Sequence, residues 1–270
     1  MELTLLCVGD IVGTAGRRVL RDGLASLGRE RDIDCVIVNA ENAAGGSGLT
    51  AAIYEKINQY GAHLITMGDH IYRRREIIPL LETSDRIVRP ANLPTGAPGK
   101  EYAVYETGAH HRVAVISLLG RMYMKGLANC PFVAADRVLA AIPKDVKIVV
   151  VDIHAEATSE KVAMGWHLDG RVSVVFGTHT HVPTADERVL PKGTAYITDV
   201  GMTGPYDSVL GRRKDRVLKA MISAVPNPFD VASGDPRMCG VIVTVDSGTG
   251  RATSIERVCF RGTPEAAGDE

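Results

Sequence analysis

The sequence lacks the features that mark secreted and membrane-spanning proteins. Its five cysteines are odd in number, widely scattered and form no Cys-x-x-Cys pair, which predicts reduced thiols in a cytoplasmic protein. The first apolar run, Leu3–Val8, has no basic flank and is too short for the core of a signal peptide. No stretch approaches the roughly 20 apolar residues of a membrane span, so no membrane partner is predicted.

An excess of charge of one sign is also missing. The chain has 31 Lys and Arg against 32 Asp and Glu, a formal net charge of −1. A protein that coats nucleic acid usually has a basic excess, so that role is disfavoured, whereas a small charged substrate needs only a local site. The glycines at Gly9, Gly13 and Gly16 match neither a dinucleotide fingerprint nor a P-loop, and they predict a tight turn into a helix.

Short runs rich in β-branched residues alternate with amphipathic stretches along the chain. The runs are continuously apolar, which is typical of strands buried on both faces of a mixed or parallel sheet. Their alternation with helices predicts an α/β fold, and 270 residues can form one domain. The predicted strands are Leu3–Val8, Cys35–Val38, His63–Met67, Val113–Leu118, Lys147–Ile153, Val172–Phe176 and Ala195–Thr198, with helices at Gly13–Leu27 and Ala51–Tyr60.

The C-terminal part has a different pattern. Gly240–Val245 and Thr253–Phe260 flank a Gly-rich turn and predict a β-hairpin. Segments rich in Pro and Gly at 87–100 and 226–237 predict loops. We therefore expect a single domain over residues 1–262 and a frayed tail at 263–270.

Polar residues gather where five predicted strands end. Ligands of open α/β sheets bind at the carboxyl ends of strands, so these side chains are expected to converge although they span much of the sequence. A strand-end Asp alone is often a helix cap, and a lone buried His is more often hydrogen-bonded than ligating; the five strand ends together favour a functional site. The residues are Asp10, Glu41, Asn42, Asp69, His70, Asp152, His154, His179 and His181.

Several carboxylates converging at one edge indicate a bound cation. Asp10, Glu41 and Asp69 could not all stay ionised within a few ångströms of one another unless positive charge lay between them. The imidazoles of His154, His179 and His181 complete a nitrogen and oxygen ligand set that suits manganese or iron, with zinc as an alternative. Because the set exceeds one tetrahedral site, two metals that share a carboxylate are predicted.

At these residues the sequence resembles the calcineurin-like metallophosphoesterases, and within them the YmdB-like family. The resemblance covers residue 4 to about 260. It is carried by Gly9-Asp-Ile-Val-Gly13, Asn39-Ala-Glu-Asn42, His154-Ala-Glu-Ala-Thr-Ser-Glu-Lys161, Gly177-Thr-His-Thr-His-Val-Pro-Thr184 and Thr198-Asp-Val-Gly-Met-Thr-Gly-Pro-Tyr-Asp-Ser-Val-Leu-Gly211.

The resemblance implies a metallophosphoesterase-type β-sandwich flanked by helices in α-β-β-α layers. It also implies a di-iron or di-manganese centre, a homo-oligomer, and a small phosphodiester substrate such as an RNA-derived 2′,3′-cyclic nucleotide. By the same resemblance Asp10 and His181 would hold the first metal, with Asn42 beside it or ligating it. Glu41 would bridge the metals, and His70 would be the proton donor. Asp69, His154 and His179 would hold the second metal.

Two departures qualify the resemblance. The wider superfamily has Asp-x-His at the first motif, but Ile11 and Val12 follow Asp10 here, so the first metal lacks that imidazole and Asn42 is expected to compensate. The YmdB-like family shares this departure. In the second departure, Gly68-Asp69-His70 replaces the expected Gly-Asn-His. We hypothesise that the added carboxylate alters metal preference or lowers turnover.

The expected reaction is in-line attack on phosphorus by a hydroxide held between the metals, with His70 protonating the departing oxygen. Three alternatives remain open at this stage. A phosphomonoesterase or nucleotidase could use the same ligands. A regulatory protein could bind a nucleotide or RNA with little turnover. A metal-dependent amide hydrolase could also have similar ligands, but the family-length motifs disfavour it.

Overall fold

Two facing β-sheets form the centre of the structure, a computed structural model that describes residues 1–263. The first sheet has the order β11-β12-β1-β2-β3-β4, with β13 paired to β12. Its strands are β1 (Glu2–Val8), β2 (Cys35–Asn39), β3 (Leu64–Thr66), β4 (Ile87–Val88), β11 (Gly204–Pro205), β12 (Pro236–Asp246) and β13 (Ala252–Arg261). β1 to β4 run parallel, while β12 is antiparallel to β1.

The second sheet has the order β5-β6-β7-β8-β10-β9. Its strands are β5 (Tyr102–Glu106), β6 (Arg112–Leu119), β7 (Ile148–His154), β8 (Val174–Thr178), β9 (Arg188–Val189) and β10 (Ala195–Ile197). The four central strands are parallel, and β5 and β9 lie antiparallel at the edges. The prediction of a mixed or parallel sheet from the continuous apolar runs is therefore confirmed, and both sheets are mixed.

Helices cover the outer faces of both sheets. They are α1 (Gly13–Glu30), α2 (Ala51–Gln59), α3 (Ile78–Thr83), α4 (Pro131–Ala141) and α5 (Thr158–Leu168). A further helix, α6 (Lys214–Ser223), is largely exposed and buries Val217. Alternation along β1 shows how the layers form: Leu5 and Cys7 point into the core between the sheets, whereas Leu6 and Val8 pack in the layer that contains α1 and α2. A third apolar cluster joins the second sheet to α4 and α5. The α-β-β-α sandwich is thus confirmed.

Most predicted elements are found, with corrections at the loops. The C-terminal hairpin is confirmed by antiparallel β12 and β13. The segment 87–100 was wrongly predicted to be entirely loop, because Ile87 and Val88 pair with β3 as β4. The segment 226–237 likewise ends inside β12. Beyond residue 263, the predicted tail lies outside the described residues. Within residues 1–263, no helix combines the length and apolar character needed to cross a membrane.

One glycine of β8 allows a close approach at the edge where the parallel strands end. A Cβ atom on Gly177 would lie 1.7 Å from the carbonyl oxygen of Thr198 and 2.9 Å from the side chain of Lys161. Only a residue without a side chain lets the chain after β10 pass this close to β8.

We expect Gly177→Ala to destabilise the protein by about 3 kcal/mol, because a backbone carbonyl cannot move aside as a flexible side chain would. Gly28→Ala is the matched control: a Cβ there meets nothing within 4 Å in α1, and alanine should stabilise the helix by about 0.5–1 kcal/mol. Urea unfolding of both variants measures the difference. Equal stabilities would contradict the predicted clash.

Candidate metal centre

The predicted site residues lie where strands of both sheets end. β1, β2 and β3 of the first sheet lead directly into the segments that carry Asp10, Glu41 and Asp69. β7 ends at His154, and β8 ends one residue before His179. Because the parallel strands of both sheets end at the same side of the sandwich, the site lies between the sheets rather than on one of them.

His154 occupies the centre of this arrangement and is completely buried. Its Nε2 lies 3.1 Å from Asp69 Oδ1 and 3.0 Å from His179 Nδ1. The same nitrogen is 3.4 Å from Glu41 Oε1, and the Nδ1 of His154 is 3.8 Å from Asp10 Oδ1. One buried imidazole thus contacts or closely approaches three carboxylates and a second imidazole.

The donor atoms form three overlapping groups, each compact enough to hold a cation, with ligand atoms within 4.8 Å of one another. Overlap of this kind is what two neighbouring cations with shared ligands require. The groups are Asp10, Glu41 and His154; Asp69, His154 and His179; and Glu41, Asp69 and His70.

His181 and Asn42 complete the set. His181 Nε2 lies 3.8 Å from Asp10 Oδ1 and 3.3 Å from Asn42 Nδ2. The structure therefore brings all the predicted site residues together, while the role of each one stays a prediction.

Asp10 provides the clearest sign that the site fits a cation. Its Oδ2 accepts a hydrogen bond from the backbone N–H of His179 at 3.1 Å. Its Oδ1 is buried, and within residues 1–263 it has no hydrogen-bond partner. A buried carboxylate oxygen without a partner is costly, and a cation ligated by Oδ1 would remove that cost. The nitrogen and oxygen donors around it suit such a cation.

The electrostatics show how strongly this site demands positive charge. Burial raises the pKa of Glu41, but the charge and hydrogen bonds of His154 and His70 outweigh burial and hold that pKa below its ordinary value. Burial likewise raises the pKa of Asp69, but its hydrogen bonds to His154 and His179 outweigh burial and hold that pKa below its ordinary value. Burial lowers the pKa of His154, yet Glu41, Asp69 and Asp10 raise it well above its usual range. The imidazolium proton thus provides charge that a bound metal would replace.

A buried network behind the centre orients His154. The hydroxyl of Thr178 donates to Asp152 Oδ1 at 2.6 Å and lies 2.8 Å from His154 Nδ1. With the hydroxyl proton on Asp152, Thr178 accepts from Nδ1–H, so Nε2 is the nitrogen that faces the carboxylates and would present its lone pair once a metal replaced the second proton. Asp152 also accepts from Asn39 Nδ2 at 3.0 Å. Complete burial raises the pKa of Asp152 to about 6.

A second buried pair positions the loop between His179 and His181. Both histidines have left-handed backbones, with φ of 92° and 65°, a conformation that non-glycine residues adopt only when their surroundings enforce it. Asp199 Oδ2 accepts from the backbone N–H of Thr180 at 3.2 Å and from its hydroxyl at 2.6 Å. The same oxygen is 2.6 Å from the ammonium of buried Lys161.

Asp152 was predicted to lie at this edge but with no role, and Thr178, Lys161 and Asp199 were not among the predicted site residues. The signal for Asp152 was its spacing from His154, since residues two apart in a strand share a face. Lys161 and Asp199 offered no local signal, because they are 38 residues apart and become partners only when α5 packs beside the chain that follows β10.

His70 lies at the open side of the centre, with 27% of its side chain exposed. Its Nδ1 lies 2.7 Å from Asn42 Oδ1 and 3.0 Å from Glu41 Oε1, and its backbone N–H donates to Glu41 Oε2. The hydrogen bond to Glu41 raises the pKa of His70 despite partial burial. The contacts with Asn42 and Glu41 therefore orient the ring of His70, and the raised pKa lets the ring hold its proton at a higher pH than an ordinary histidine does.

Comparison with known proteins identifies this arrangement. A model of the family described as YmdB-like protein matches residues 6–258. The chain belongs to the YmdB-like family. It is 45% identical to a 2′,3′-cyclic-nucleotide 2′-phosphodiesterase of Bacillus subtilis, over 95% of this chain and 96% of that protein.

Solved structures give the same result for the fold. A phosphatase from Mycoplasma pneumoniae is 34% identical and superimposes with a TM-score of 0.90, covering 97% of this chain and 94% of the other. A protein of undefined function from Thermus thermophilus is 39% identical, with a TM-score of 0.89 over 97% and 100% of the two chains. The metallophosphoesterase fold implied by the sequence is thereby confirmed.

Asp69 is where this chain departs from the Asn expected in a YmdB-like protein. Asp69→Asn removes one negative charge with little change in side-chain size. We expect Mn²⁺ affinity to fall on the order of tenfold or more, because a charged donor beside His154 and His179 becomes neutral. Isothermal titration calorimetry measures this affinity. Asp145→Asn is the control, because Asp145 is exposed, pairs with Arg112 and precedes β7 at the opposite end. Unchanged affinity in both variants would contradict the prediction.

Proposed function

We propose that this protein is a dinuclear metal-dependent phosphodiesterase that hydrolyses 2′,3′-cyclic nucleotides. The observation that carries the proposal is the set of overlapping carboxylate and imidazole groups around His154, with the unpartnered buried oxygen of Asp10 beside it. The Bacillus subtilis relative supports the substrate class by its activity. The proposed substrates are small and RNA-derived, since cyclic 2′,3′ esters arise from RNA.

The proposed ligand assignment is the one that the family resemblance implies. Asp10 and His181 would hold one metal with Asn42 close by, and Glu41 would be shared. The other metal would be held by Asp69, His154 and His179. Iron or manganese fits the donor set best, with zinc as an alternative. When bound, the two cations would supply Lewis acidity and lower the pKa of water to near neutrality.

The side chains around the centre would perform the remaining tasks. Asn42 and Glu41 contact Nδ1 of His70, whereas Nε2 is 3.7 Å from Asp69 Oδ2 and is the less closely held nitrogen, so Nε2 would face the substrate. The hydrogen bond to Glu41 raises the pKa of His70, which favours the protonated form of this imidazole. His70 is therefore suited to protonate the ribose oxygen as the cyclic ester opens to a monoester.

A phosphomonoesterase is the second candidate, because the similar Mycoplasma pneumoniae protein is described as a phosphatase. The same ligands could serve both reactions. Relative rates on a monoester and a diester separate the two functions. A regulatory protein that binds nucleotides with little turnover would instead show binding without hydrolysis when loaded with metal.

The direct test is steady-state hydrolysis of 2′,3′-cyclic AMP by Mn²⁺-loaded protein, with a chelator-treated sample as the control. We expect metal-dependent formation of adenosine monophosphate and slower release of phosphate from that product. Metal-loaded protein that releases phosphate from monoesters but leaves the cyclic ester intact would favour the phosphomonoesterase. Binding of two metals with no hydrolysis of either substrate would contradict both catalytic functions.

His70→Ala should lower the rate of hydrolysis by roughly 10²- to 10⁴-fold, the usual contribution of a positioned general acid, while the bound metal content stays unchanged. Metal analysis of the purified variant separates proton donation from ligation, because loss of metal would make His70 a ligand. His110→Ala is the matched control: its ring is 87% exposed and pairs with Glu106, so both rate and metal content should be retained.

A further inference from the structure

A cavity of about 280 Å³ adjoins the metal centre. Gly68 and Asp69 form one side of it, so the cavity and the metal centre share a wall. Most of the other lining residues are apolar, Leu93 and Met124 among them, and Tyr72 contributes an aromatic ring. Its volume lies near the lower limit of pockets that hold small ligands, which begin at about 300 Å³.

The outer wall of the cavity is the loop that follows β6, here called the 120–129 loop. Asn92, which is buried, fixes both ends of this loop. Its Nδ2 donates to the carbonyl oxygens of Leu119 and Asn129 at 2.7 and 2.9 Å, and its Oδ1 accepts from the Leu119 N–H at 2.8 Å.

Glu160 from α5 adds a third attachment to the 120–129 loop. Its carboxylate accepts hydrogen bonds of 3.0 Å from the backbone N–H groups of Arg121 and Met122. The loop is thus held at its start, at its first turn and at its end. The cavity behind it is a preformed part of the fold, which lowers the entropic cost of binding a ligand there.

Resting on the function proposed above, we propose that this cavity is the subsite for the nucleobase of the cyclic nucleotide. In a 2′,3′-cyclic nucleotide the base is attached to C1′, which is bonded directly to C2′. A phosphate at the metal centre therefore places the base only one ribose away, within reach of a cavity that shares Asp69. A nucleobase has flat apolar faces and polar edges, and these match the apolar and polar residues that line this cavity.

The polar residues of the cavity support the same occupant. Arg121 and Lys125 are exposed residues of the lining, and their cationic groups can donate to the ring nitrogens and carbonyl oxygens at the edge of a base. The ring of Tyr72 is held by its hydroxyl, which donates to the carbonyl oxygen of Pro98 at 2.7 Å. Aromatic rings are the surfaces on which proteins commonly stack bases.

The test compares two cyclic esters that share the five-membered phosphate ring. One is 2′,3′-cyclic AMP, and the other is glycerol 1,2-cyclic phosphate, which has neither ribose nor base. Met124 is a half-buried residue of the 120–129 loop that lines the cavity, so Met124→Trp fills the cavity with a larger side chain. Met122→Trp is the matched control, because Met122 belongs to the same loop, is 47% exposed and does not line the cavity.

We expect Met124→Trp to lower kcat/KM for 2′,3′-cyclic AMP by roughly tenfold or more, the range that loss of one stacked base produces. The kcat/KM of the same variant for glycerol 1,2-cyclic phosphate should stay within about twofold of the value for the unsubstituted protein. Met122→Trp should leave both rates nearly unchanged. Adenosine should inhibit hydrolysis of both esters competitively in the unsubstituted protein, and Met124→Trp should weaken that inhibition.

Equal losses on both esters, or no loss on either, would show that the base lies elsewhere and would overturn the subsite. The adenosine experiment needs no variant, so it tests the proposal even if Met124→Trp fails to fold. Absence of inhibition by adenosine in the unsubstituted protein would overturn the base subsite. Hydrolysis of neither ester by metal-loaded protein would instead overturn the proposed function, and the base subsite with it.

Discussion

The site depends on one electrostatic constraint, which is that Asp10, Glu41 and Asp69 surround the buried imidazole of His154. Carboxylates this close repel one another, and burial weakens the screening that water would provide. In the protein alone, the His154 proton supplies compensating charge and raises the pKa of that imidazole. The unpartnered oxygen of Asp10 shows that this compensation is incomplete. The arrangement is therefore one that cations stabilise and that would be unfavourable as a purely structural cluster.

The rest of the sandwich maintains this unfavourable arrangement. Asp152, through Thr178, fixes the nitrogen that His154 presents to the carboxylates. Asp199 and Lys161 hold the loop on which His179 and His181 adopt left-handed backbones. Both supports are buried, so their hydrogen bonds compete little with water. The positions of these three histidines are thus set by buried groups of the second sheet and of the segments packed beside it.

Much of the fold could be predicted because its signals are local. The apolar runs of β1, β2, β7 and β8 indicated strands buried on both faces, and the Gly-rich turn after Asp246 indicated the C-terminal hairpin. β4 was missed because two residues carry too little periodicity, and their strand character arises from pairing with β3. The cavity beside Asp69 was also beyond prediction, since its walls come from segments far apart in the sequence.

The sequence by itself determined the types of ligand and their places at strand ends, because residue identity and hydrophobic pattern are local properties. It therefore predicted a metal site from Asp10 to His181 and, through its motifs, the YmdB-like family. Only the tertiary structure decided which donor atoms lie close enough to share a cation and which nitrogen of His154 faces them. It alone paired Lys161 with Asp199. Such contacts depend on how the two sheets pack, and packing joins residues whose separation along the chain carries no signal.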